Sequence, residues 1–581
     1  MREVLGVITG IPATRNDGQS DETMSTVWAG ICHSISRWPQ LTLLLLTLLC
    51  LLPFTDKAIH IDDPIFIWTA KQITKHPLNP YGFSANWYLH PTPMWRIQKN
   101  PPLASYYMAL IGSICGWSER ALHIGFILPA AIVVLGTYYL ALRLTKQPLL
   151  AAAATLLTPG FLVSATSLMC DTMTVALWLL AVVLWMKGPE EPGKPFYLAT
   201  SALLIAACAL TKYFGVSLIP LLLAYSLARQ RRLGSWAWYL LIPVFTLGAY
   251  ELYAHELYGT GLIADAIHHS TAVRKLEARS TDALVGLSFT GGCALTALTF
   301  VPLLWSRKQI LWGGVLSILL GLLLLRGWTD MGVVYASETW LHERRLLISV
   351  QLILYVAGGI SVLALAGADF WQRKDAASLL LLFWVLGTIF FTVAVNWTVN
   401  ARSILPMIPA VAILIARRLD EIRVSARRWS LLTLMIPLVV SGVVSLWATA
   451  GDAALANTGR TAAKYIQQKS RDDSSTVRFE GRWGFQYYME AFGARPLEPD
   501  VYGYKFGDLI VIPKYNTSLY PFPLRVTGPQ VVDFEVHSWI TTMNWDAGGG
   551  FYYEAWGPLP FAIGPVPVQR YSMARLVQVN N

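Results

Sequence analysis

The sequence predicts a polytopic α-helical membrane protein with about 13 transmembrane helices and a C-terminal extracytoplasmic domain that is α+β or β-rich. Three observations lead to this fold class. Hydrophobic residues make up 54% of the 581 residues, and charged residues only 14%. Apolar runs of about the 17–25 residues that cross a bilayer recur between residues 41 and 447. After residue 450, a helical stretch (Thr461–Ser470) is followed by short β-prone runs broken by Gly and Pro.

The net charge of +10 at pH 7 belongs to the membrane portion of the chain. The tail, residues 451–581, holds twelve Lys/Arg and twelve Asp/Glu and is therefore balanced. Basic cytoplasmic loops explain the excess, so the composition calls for no nucleic-acid partner. The six cysteines form no CxxC pair, and none lies in the tail, so we expect neither a disulfide framework nor a cysteine zinc site.

We expect three parts: a cytoplasmic N-terminal segment (1–37), a transmembrane domain (38–449) and an extracytoplasmic domain (450–581). The first apolar run lacks the pattern of a cleaved signal and is expected to be a retained anchor. A first external loop with interfacial helices spans residues 56–120. The expected spans are 40–54, 121–142, 148–166, 169–186, 196–211, 214–228, 236–256, 284–305, 310–326, 346–366, 376–396, 403–417 and 429–449.

The segment Pro101–Gly116 decides which loops share a side of the membrane. It is short, opens with Pro-Pro and carries Ser and Tyr on its apolar face, which is typical of an interfacial helix. If it does not span, six short loops with sixteen Lys/Arg face the cytoplasm, as the positive-inside rule requires. The acidic segment near residue 62, the loop at 258–282 and the tail then lie on the external face.

The segment His60-Ile61-Asp62-Asp63-Pro64 is the centre of the functional interpretation. Two adjacent acids at a membrane edge are costly to desolvate, which indicates that they have a use there. The alternative is that they cap the helix Ile65–Lys75, since Asp followed by Pro is a common helix start.

Other charged residues fall on the same face. Lys99 and Asn100 open the interfacial helix, Asp171 lies at the outer end of a span, and Lys212 ends another. Asp171 and Lys212 either belong to a site or simply pair to lower their cost of burial.

The order of these motifs resembles the GT-C glycosyltransferases, in the group of the protein O-mannosyltransferases and the lipid A aminoarabinose transferase. The acidic pair, Pro101-Pro102-Leu103, Asp171 and Leu210-Thr211-Lys212 carry the resemblance, which covers about residues 40–450. Asn400-Ala401-Arg402-Ser403-Ile404-Leu405-Pro406 is similar to a late family motif. The chain departs from the family at Asp63, usually Glu, at Asn100, usually His, and at Ser403, often an aromatic residue.

The resemblance implies an inverting, polyprenyl-phosphate-sugar-dependent hexosyl- or pentosyltransferase, active at the outer leaflet of a bacterial inner membrane. The implied acceptor is lipid A, another glycan, a lipid or a protein. Asp62 matches the family's acidic position and is assigned as the general base. Asp63 and Asp171 are expected to orient the acceptor or Asp62.

A lipid phosphate leaves more readily when cations stabilise its developing charge. The candidates for binding that phosphate are Lys99, Lys212, Arg274, Arg344, Arg345 and Arg402. The candidates for acceptor or sugar contacts are His60, His90, Asn100 and Tyr213.

The sequence requires no cofactor and leaves a divalent metal open. His268 and His269 are candidate ligands, but adjacent histidines point in different directions on a helix and equally suit packing or headgroup contact. A transporter or flippase of a lipid-linked sugar is the alternative function. It would place polar residues near the bilayer midplane, often within inverted repeats.

Overall fold

The computed structural model describes residues 37–190, 193–277, 280–330, 338–425, 431–471, 475–498, 504–517, 519–520 and 524–579. The expected cytoplasmic segment 1–37 lies, apart from its last residue, outside them. The α-helices are Pro39–Leu51, Asp63–Lys75, Met94–Ile97, Leu103–Cys115, Glu119–Leu144, Pro148–Leu156, Pro159–Ala165, Asp171–Lys187, Phe196–Ala209, Leu218–Gln230, Leu241–Tyr258, Leu262–Glu277, Asp282–Cys293, Thr296–Thr299, Val301–Leu304, Arg307–Asp330, Glu338–Arg373, Ala376–Phe390, Ala401–Ile404, Ile408–Ser425, Leu431–Lys469 and Trp483–Ala491.

The protein is an integral membrane protein by the length and composition of its helices. Within the described ranges, six helices are long and apolar enough to cross a bilayer, and a bent pair, Pro148–Leu156 with Pro159–Ala165, makes up to seven. The six are Glu119–Leu144, Asp171–Glu190, Arg307–Gly327, Arg344–Arg373, Ala376–Val395 and Leu432–Lys469. The polytopic helical class is confirmed, whereas the expected count of 13 spans is not.

Breaks in the remaining apolar runs explain the lower count. The run expected at 284–305 divides into Asp282–Cys293, Thr296–Thr299 and Val301–Leu304. The run at 403–417 is interrupted by a 3-10 turn, Leu405–Met407, where proline removes a backbone donor. Leu103–Cys115 has 13 residues, about 20 Å at 1.5 Å per residue, which is shorter than the roughly 30 Å apolar core of a bilayer.

The tail is built around a six-stranded mixed sheet. Val477–Phe479 pairs in parallel with Arg495–Pro496 and Leu509–Pro513, while the long last strand, Gln569–Val579, runs antiparallel to its neighbours. The other strands are Leu524–Val526, Gln530–Phe534, Ile540–Thr541, Met543–Asn544, Gly549–Gly550 and Ala562–Ile563, with Ser84–Ala85 and Thr92–Pro93 in the first external loop. The tail therefore has the α+β, β-rich character expected from its sequence.

One helix connects the membrane domain to the tail without a break. Leu431–Lys469 has 39 residues, so it is about 58 Å long, roughly twice the thickness of the apolar bilayer core. The boundary expected at residue 450 and the helical stretch expected at Thr461–Ser470 both fall within or at the end of it. Ala462 and Ile466 on its last turns pack with Phe479, Phe485 and Val511 in the core of the tail.

A segment of the tail also reaches into the membrane domain. The Ala401 amide donates to the Phe551 carbonyl at 2.8 Å. The Ser288 hydroxyl donates to the Pro558 carbonyl at 3.0 Å, and the Ile563 amide donates to Gln351 Oε1 at 2.6 Å. The membrane domain and the tail are thus joined by hydrogen bonds as well as by the shared helix.

Candidate active site

The acidic pair lies in a tight loop between two helices. Ile61 has a φ of 46°, which is rare for a β-branched residue because its Cβ meets the backbone. Asp62 follows, at the N-cap position of Asp63–Lys75, but its side chain makes no capping hydrogen bond. Its carboxylate instead lies 3.2 Å from the Arg402 guanidinium. The capping alternative therefore does not account for Asp62.

Asp63 is fully buried, and its carboxylate accepts hydrogen bonds from backbone amides of the loop and of a neighbouring segment. One carboxylate oxygen accepts from the His60 amide at 3.0 Å and the other from the Leu168 amide at 2.9 Å. Burial raises the pKa of Asp63 to about 7, against the opposing effects of Lys57 and the two amide donors. Asp63 thereby ties the acidic loop to the segment that precedes Asp171.

Asp171 and Lys212 form a close ion pair, with Lys212 Nζ 2.6 Å from Asp171 Oδ1. Asp171 is buried, and the Lys212 side chain keeps 16% of its exposure. Asp171 also acts electrostatically on Asp62. Arg402 joins these groups, since its Nη1 also lies 2.7 Å from the Met169 sulfur, two residues before Asp171.

Lys99 is brought to the same region by the interfacial helix. The Leu103 amide donates to the Leu210 carbonyl at 3.1 Å, which places the Pro-Pro-Leu motif against the Leu-Thr-Lys motif. Lys99 itself pairs with Asp265 at 2.5 Å, on the helix Leu262–Glu277. Tyr213, which follows Lys212, interacts electrostatically with Asp265.

Several sequence candidates have other contacts. Arg274 pairs with Asp282 at 2.7 Å. The Arg344 guanidinium donates to the Pro565 carbonyl of the tail at 2.5 Å, and Arg345 is exposed.

The contacts of the remaining polar candidates do not include Asp62 among those that the structure describes. His90 is exposed, and its carbonyl accepts from the Thr92 hydroxyl. The Asn100 side chain donates to Gln98 at 3.3 Å. The His269 ring centroid lies 6.1 Å from that of Trp397, and the backbone carbonyl of His268 accepts from the Thr271 hydroxyl at 3.0 Å. Among the described residues, no group of three or more His, Cys, Asp or Glu side chains is arranged to hold a metal ion.

A fully buried ion pair beside the acidic loop was not foreseen. Lys57 Nζ lies 2.5 Å from Asp452 Oδ2, and both side chains are inaccessible. Asp452 also accepts from Thr542 Oγ1 at 2.5 Å and from the Tyr552 hydroxyl at 3.0 Å. Lys57 belongs to the first external loop, Asp452 to the long helix and the other two to the tail, so this network joins three parts of the chain. The one sequence signal is that Asp452 directly follows an apolar run.

His60 lies between this network and the acidic pair. Its Nε2 is 3.8 Å from Asp452, and its ring meets the Tyr552 ring edge-on at 5.7 Å. Burial lowers the pKa of His60 to about 4, so the ring is neutral at pH 7. Tyr552 in turn lies under the Arg402 guanidinium, 5.7 Å from ring centroid to Cζ.

The tail supports the acidic loop directly. The Ile59 amide donates to the Tyr488 hydroxyl at 2.8 Å, and the Ala58 amide donates to Asn457 at 3.0 Å. At Gly484, an added Cβ would come within 1.8 Å of the Ile59 carbonyl oxygen. Only glycine permits this approach of the tail helix to the loop.

The arrangement suits proton transfer beside an anionic leaving group. Asp62 keeps 29% of its side-chain exposure, and burial raises its pKa although Arg402 opposes this. Arg402, Lys212 and Lys99 each pair with a carboxylate and remain partly accessible. A site with an accessible carboxylate beside several cations can accept a proton and stabilise a phosphate.

Residues 99–250 match the profile of the family described as dolichyl-phosphate-mannose-protein mannosyltransferase. The match includes Lys99, Asp171 and Lys212, whereas Asp62 and Arg402 lie outside it. No curated protein sequence matches the chain.

Three solved structures show similarity in fold. The oligosaccharyltransferase of Archaeoglobus fulgidus, tethered to an acceptor peptide, has 11% identity and a TM-score of 0.47 over 80% of this chain and 64% of its own. ArnT of Cupriavidus metallidurans, bound to undecaprenyl phosphate, has 12% identity and a TM-score of 0.40 over 84% and 93%. The arabinofuranosyltransferase AftD from Mycobacteria has 12% identity and a TM-score of 0.40, and the match covers 92% of this chain and 40% of AftD.

The chain spans less than two thirds of the length of the Archaeoglobus enzyme. At these identities and TM-scores, the similarity carries no residue roles to this chain. The resemblance that the motifs predicted is confirmed, and residues 99–250 are similar to the dolichyl-phosphate-mannose-protein mannosyltransferase family.

Proposed function

We propose that the protein is a membrane glycosyltransferase that moves a sugar from a polyprenyl-phosphate-linked donor to an acceptor at the outer leaflet of a bacterial inner membrane. The observation that carries this proposal is the contact between Asp62 and Arg402, within a cluster that also holds Asp171 and Lys212. The family match supports the donor class, because the family's printed name contains a polyprenyl-phosphate sugar.

In the proposed reaction, an acceptor hydroxyl attacks the anomeric carbon of the donor from the face opposite the phosphate. The bond from the hydroxyl oxygen to the anomeric carbon forms, while the bond from that carbon to the phosphate oxygen breaks. The hydroxyl proton passes to Asp62, and the lipid phosphate leaves with the bonding electrons. One displacement of this kind inverts the anomeric centre.

Arg402 can link the binding of the donor to the basicity of Asp62, because it can contact both the donor phosphate and the Asp62 carboxylate. In the absence of an anion, its guanidinium contacts Asp62 and makes the carboxylate less basic. A donor phosphate competes for the same guanidinium, because charge-assisted hydrogen bonds to phosphate are strong. Donor binding then frees Asp62 to accept the acceptor's proton. Lys212 and Lys99 can stabilise the phosphate alongside Arg402.

The transporter alternative receives less support from the charge distribution. A flippase is expected to carry polar groups near the bilayer midplane. Here Asp62, Arg402, Asp171 and Lys212 instead gather at helix ends around the first external loop.

The substitution Asp62→Asn tests the proposal. We expect at least a hundredfold slower transfer, since the base is lost while shape is kept, and the polyprenyl-phosphate-linked sugar should accumulate. Mass spectrometry of membrane lipids from a deletion strain carrying each variant measures this. Asp56→Asn is the matched control, because Asp56 is an exposed carboxylate that pairs with Arg120. Normal transfer by the Asp62→Asn protein at normal abundance would disprove the assignment.

A further inference from the structure

The tail holds a short external loop next to Asp62. Residues 86–88 lie between the strands Ser84–Ala85 and Thr92–Pro93 of the first external loop. Trp87 is buried and meets Trp68 edge-on at 6.0 Å, on the helix that begins at Asp63. The next residue, Tyr88, is 41% exposed. One aromatic side chain therefore anchors the loop, and its neighbour faces outward.

Arg482 of the tail fixes the backbone of this loop. Arg482 is 2% exposed, and its guanidinium donates to the Trp87 carbonyl at 2.8 Å and to the Tyr88 carbonyl. It also donates to Asn86 Oδ1 at 3.3 Å. Gln486 donates to the Asn86 carbonyl at 2.7 Å. Burying an arginine is costly because its charge is desolvated. Here the buried guanidinium donates mainly to backbone carbonyl oxygens of another part of the chain.

Tyr88 faces both the acidic pair and the tail. Its phenol interacts electrostatically with Asp62, Asp265 and Tyr520. Tyr520 belongs to the tail and is 40% exposed, and its backbone amide donates to the buried Glu480 carboxylate at 3.1 Å. Arg482 holds the Tyr88 backbone, and Glu480, two residues before it, holds the Tyr520 backbone. Two half-exposed phenols, one from each part of the chain, are therefore held at the same part of the tail, beside the loop that packs on the helix beginning at Asp63.

The chemistry of this region favours a sugar ring. A half-exposed aromatic ring can cover the apolar face of a sugar, while nearby carboxylates accept its hydroxyl hydrogens. Lys212 and Arg402, the cations that suit a phosphate, belong to the connections of the membrane domain, whereas Tyr88 belongs to the first external loop and Tyr520 to the tail.

We propose that Tyr88 and Tyr520 form an acceptor subsite for a sugar ring, and that Arg482 is the positioning residue that holds Tyr88 there. This inference rests on the proposed function. It assigns the acceptor to the class of glycans or glycolipids and gives the tail a part in recognising it.

The test uses the full-length protein in membranes of a strain that lacks the gene, which retain the natural acceptor. The probe is the polyprenyl-phosphate-linked sugar that accumulates in that strain, titrated into membranes carrying each variant. We expect Tyr88→Ala and Tyr520→Ala each to lower the maximal transfer rate at least tenfold, with the KM for the donor changed less than twofold. Tyr88→Phe should keep most of the rate, because the ring remains.

Arg482→Ala should reproduce the effect of Tyr88→Ala, and the double variant should be no slower than the slower single one. Arg478→Ala is the matched control, since Arg478 is a buried tail arginine that pairs with Asp508 at 3.0 Å within the tail. A similar loss in Arg478→Ala, multiplicative losses in the double variant, or a raised donor KM in Tyr88→Ala would each overturn the inference. If Arg482→Ala does not fold, the exposed Tyr88 and Tyr520 variants still decide it.

The product identifies the acceptor class. Mass spectrometry of wild-type membranes should find the transferred sugar on a glycan or glycolipid, and a modified protein side chain would overturn the inference. If the proposed function itself were wrong, the deletion strain would accumulate no lipid-linked sugar. This result is distinct from a sugar that accumulates and is transferred to a protein.

Discussion

Ile61 shows how the acidic loop is held in an unfavourable conformation. A left-handed backbone at a β-branched residue costs on the order of 1–3 kcal/mol and persists only where the surroundings enforce it. Here the enforcing contacts are the two bonds of Asp63 and the hydrogen bonds to the amides of Ala58 and Ile59. In this conformation the Asp62 side chain does not cap the helix that follows it, and its carboxylate contacts Arg402 instead.

Transfer should depend on pH through the ionisation of Asp62. Burial raises the pKa of Asp62, and Arg402 opposes this. A base works only when ionised, so transfer should fall on the acid side at a higher pH than an ordinary Asp would give. Arg402→Gln removes the opposing charge and should move this inflection to still higher pH. The measurement is the pH profile of kcat/KM.

Arg274→Gln is the control for this experiment, because Arg274 pairs with Asp282. Its inflection should match that of the unmodified protein. An inflection that stays in place in Arg402→Gln would show that Asp62 is not the titrating base.

The tail helix Trp483–Ala491 is the element that sets the position of the acidic loop. It contributes Tyr488, which binds the Ile59 amide, and Gly484, which lies against the Ile59 carbonyl. Sequence patterns indicated a helix-containing tail. They could not indicate this contact, because the two segments are more than 400 residues apart and a single glycine in an aromatic stretch has many explanations.

The substitution Gly484→Ala should displace the helix Trp483–Ala491 from the acidic loop. The new methyl group would overlap the Ile59 backbone, so the helix must move away from the loop. We expect transfer to fall at least tenfold and thermal stability to decrease. The control is Gly459→Ala on the long helix, where an added Cβ meets no atom within 4 Å and replacement of a helical glycine is favourable by about 0.5–1 kcal/mol. Transfer rates and unfolding temperatures in detergent measure both, and equal behaviour of the two variants would contradict the contact.

At the scale of the whole molecule, the Lys57–Asp452 pair joins the loop, the long helix and the tail. Breaking a buried ion pair by removing one partner typically costs about 3–5 kcal/mol, because the other charge stays buried and unpaired. Lys57→Met and Asp452→Asn should therefore each lower the unfolding temperature strongly, while the double variant recovers part of the loss. Thermal unfolding of the purified protein measures this.

Arg120→Ala is the matched control, since its pair with Asp56 is largely exposed and should contribute little. If the double variant were as unstable as the two single losses added together, the two side chains would not interact as the structure shows.

The contrast between the candidate site and the Lys57–Asp452 pair shows which contacts the sequence can indicate. Asp62, Asp171, Lys212 and Arg402 could be selected as candidates from the sequence because each lies near the end of an apolar run, and the positive-inside rule predicts one face for them. The structure brings them into contact as two ion pairs, Asp62 with Arg402 and Asp171 with Lys212. Lys57 and Asp452 are 395 residues apart, and nothing local in the sequence indicates which charge neutralises which. The number of spans is not confirmed for a related reason, since short turns divide several of the described apolar runs that hydropathy alone joins.

The continuous helix Leu431–Lys469 has a consequence for how the two domains can move. Its last turns pack into the core of the tail, and further hydrogen bonds join the tail to the membrane domain, so a change in the angle between the two would have to break helical hydrogen bonds and these contacts together. We therefore expect the tail to move with the membrane domain as one body, rather than to swing on a flexible linker.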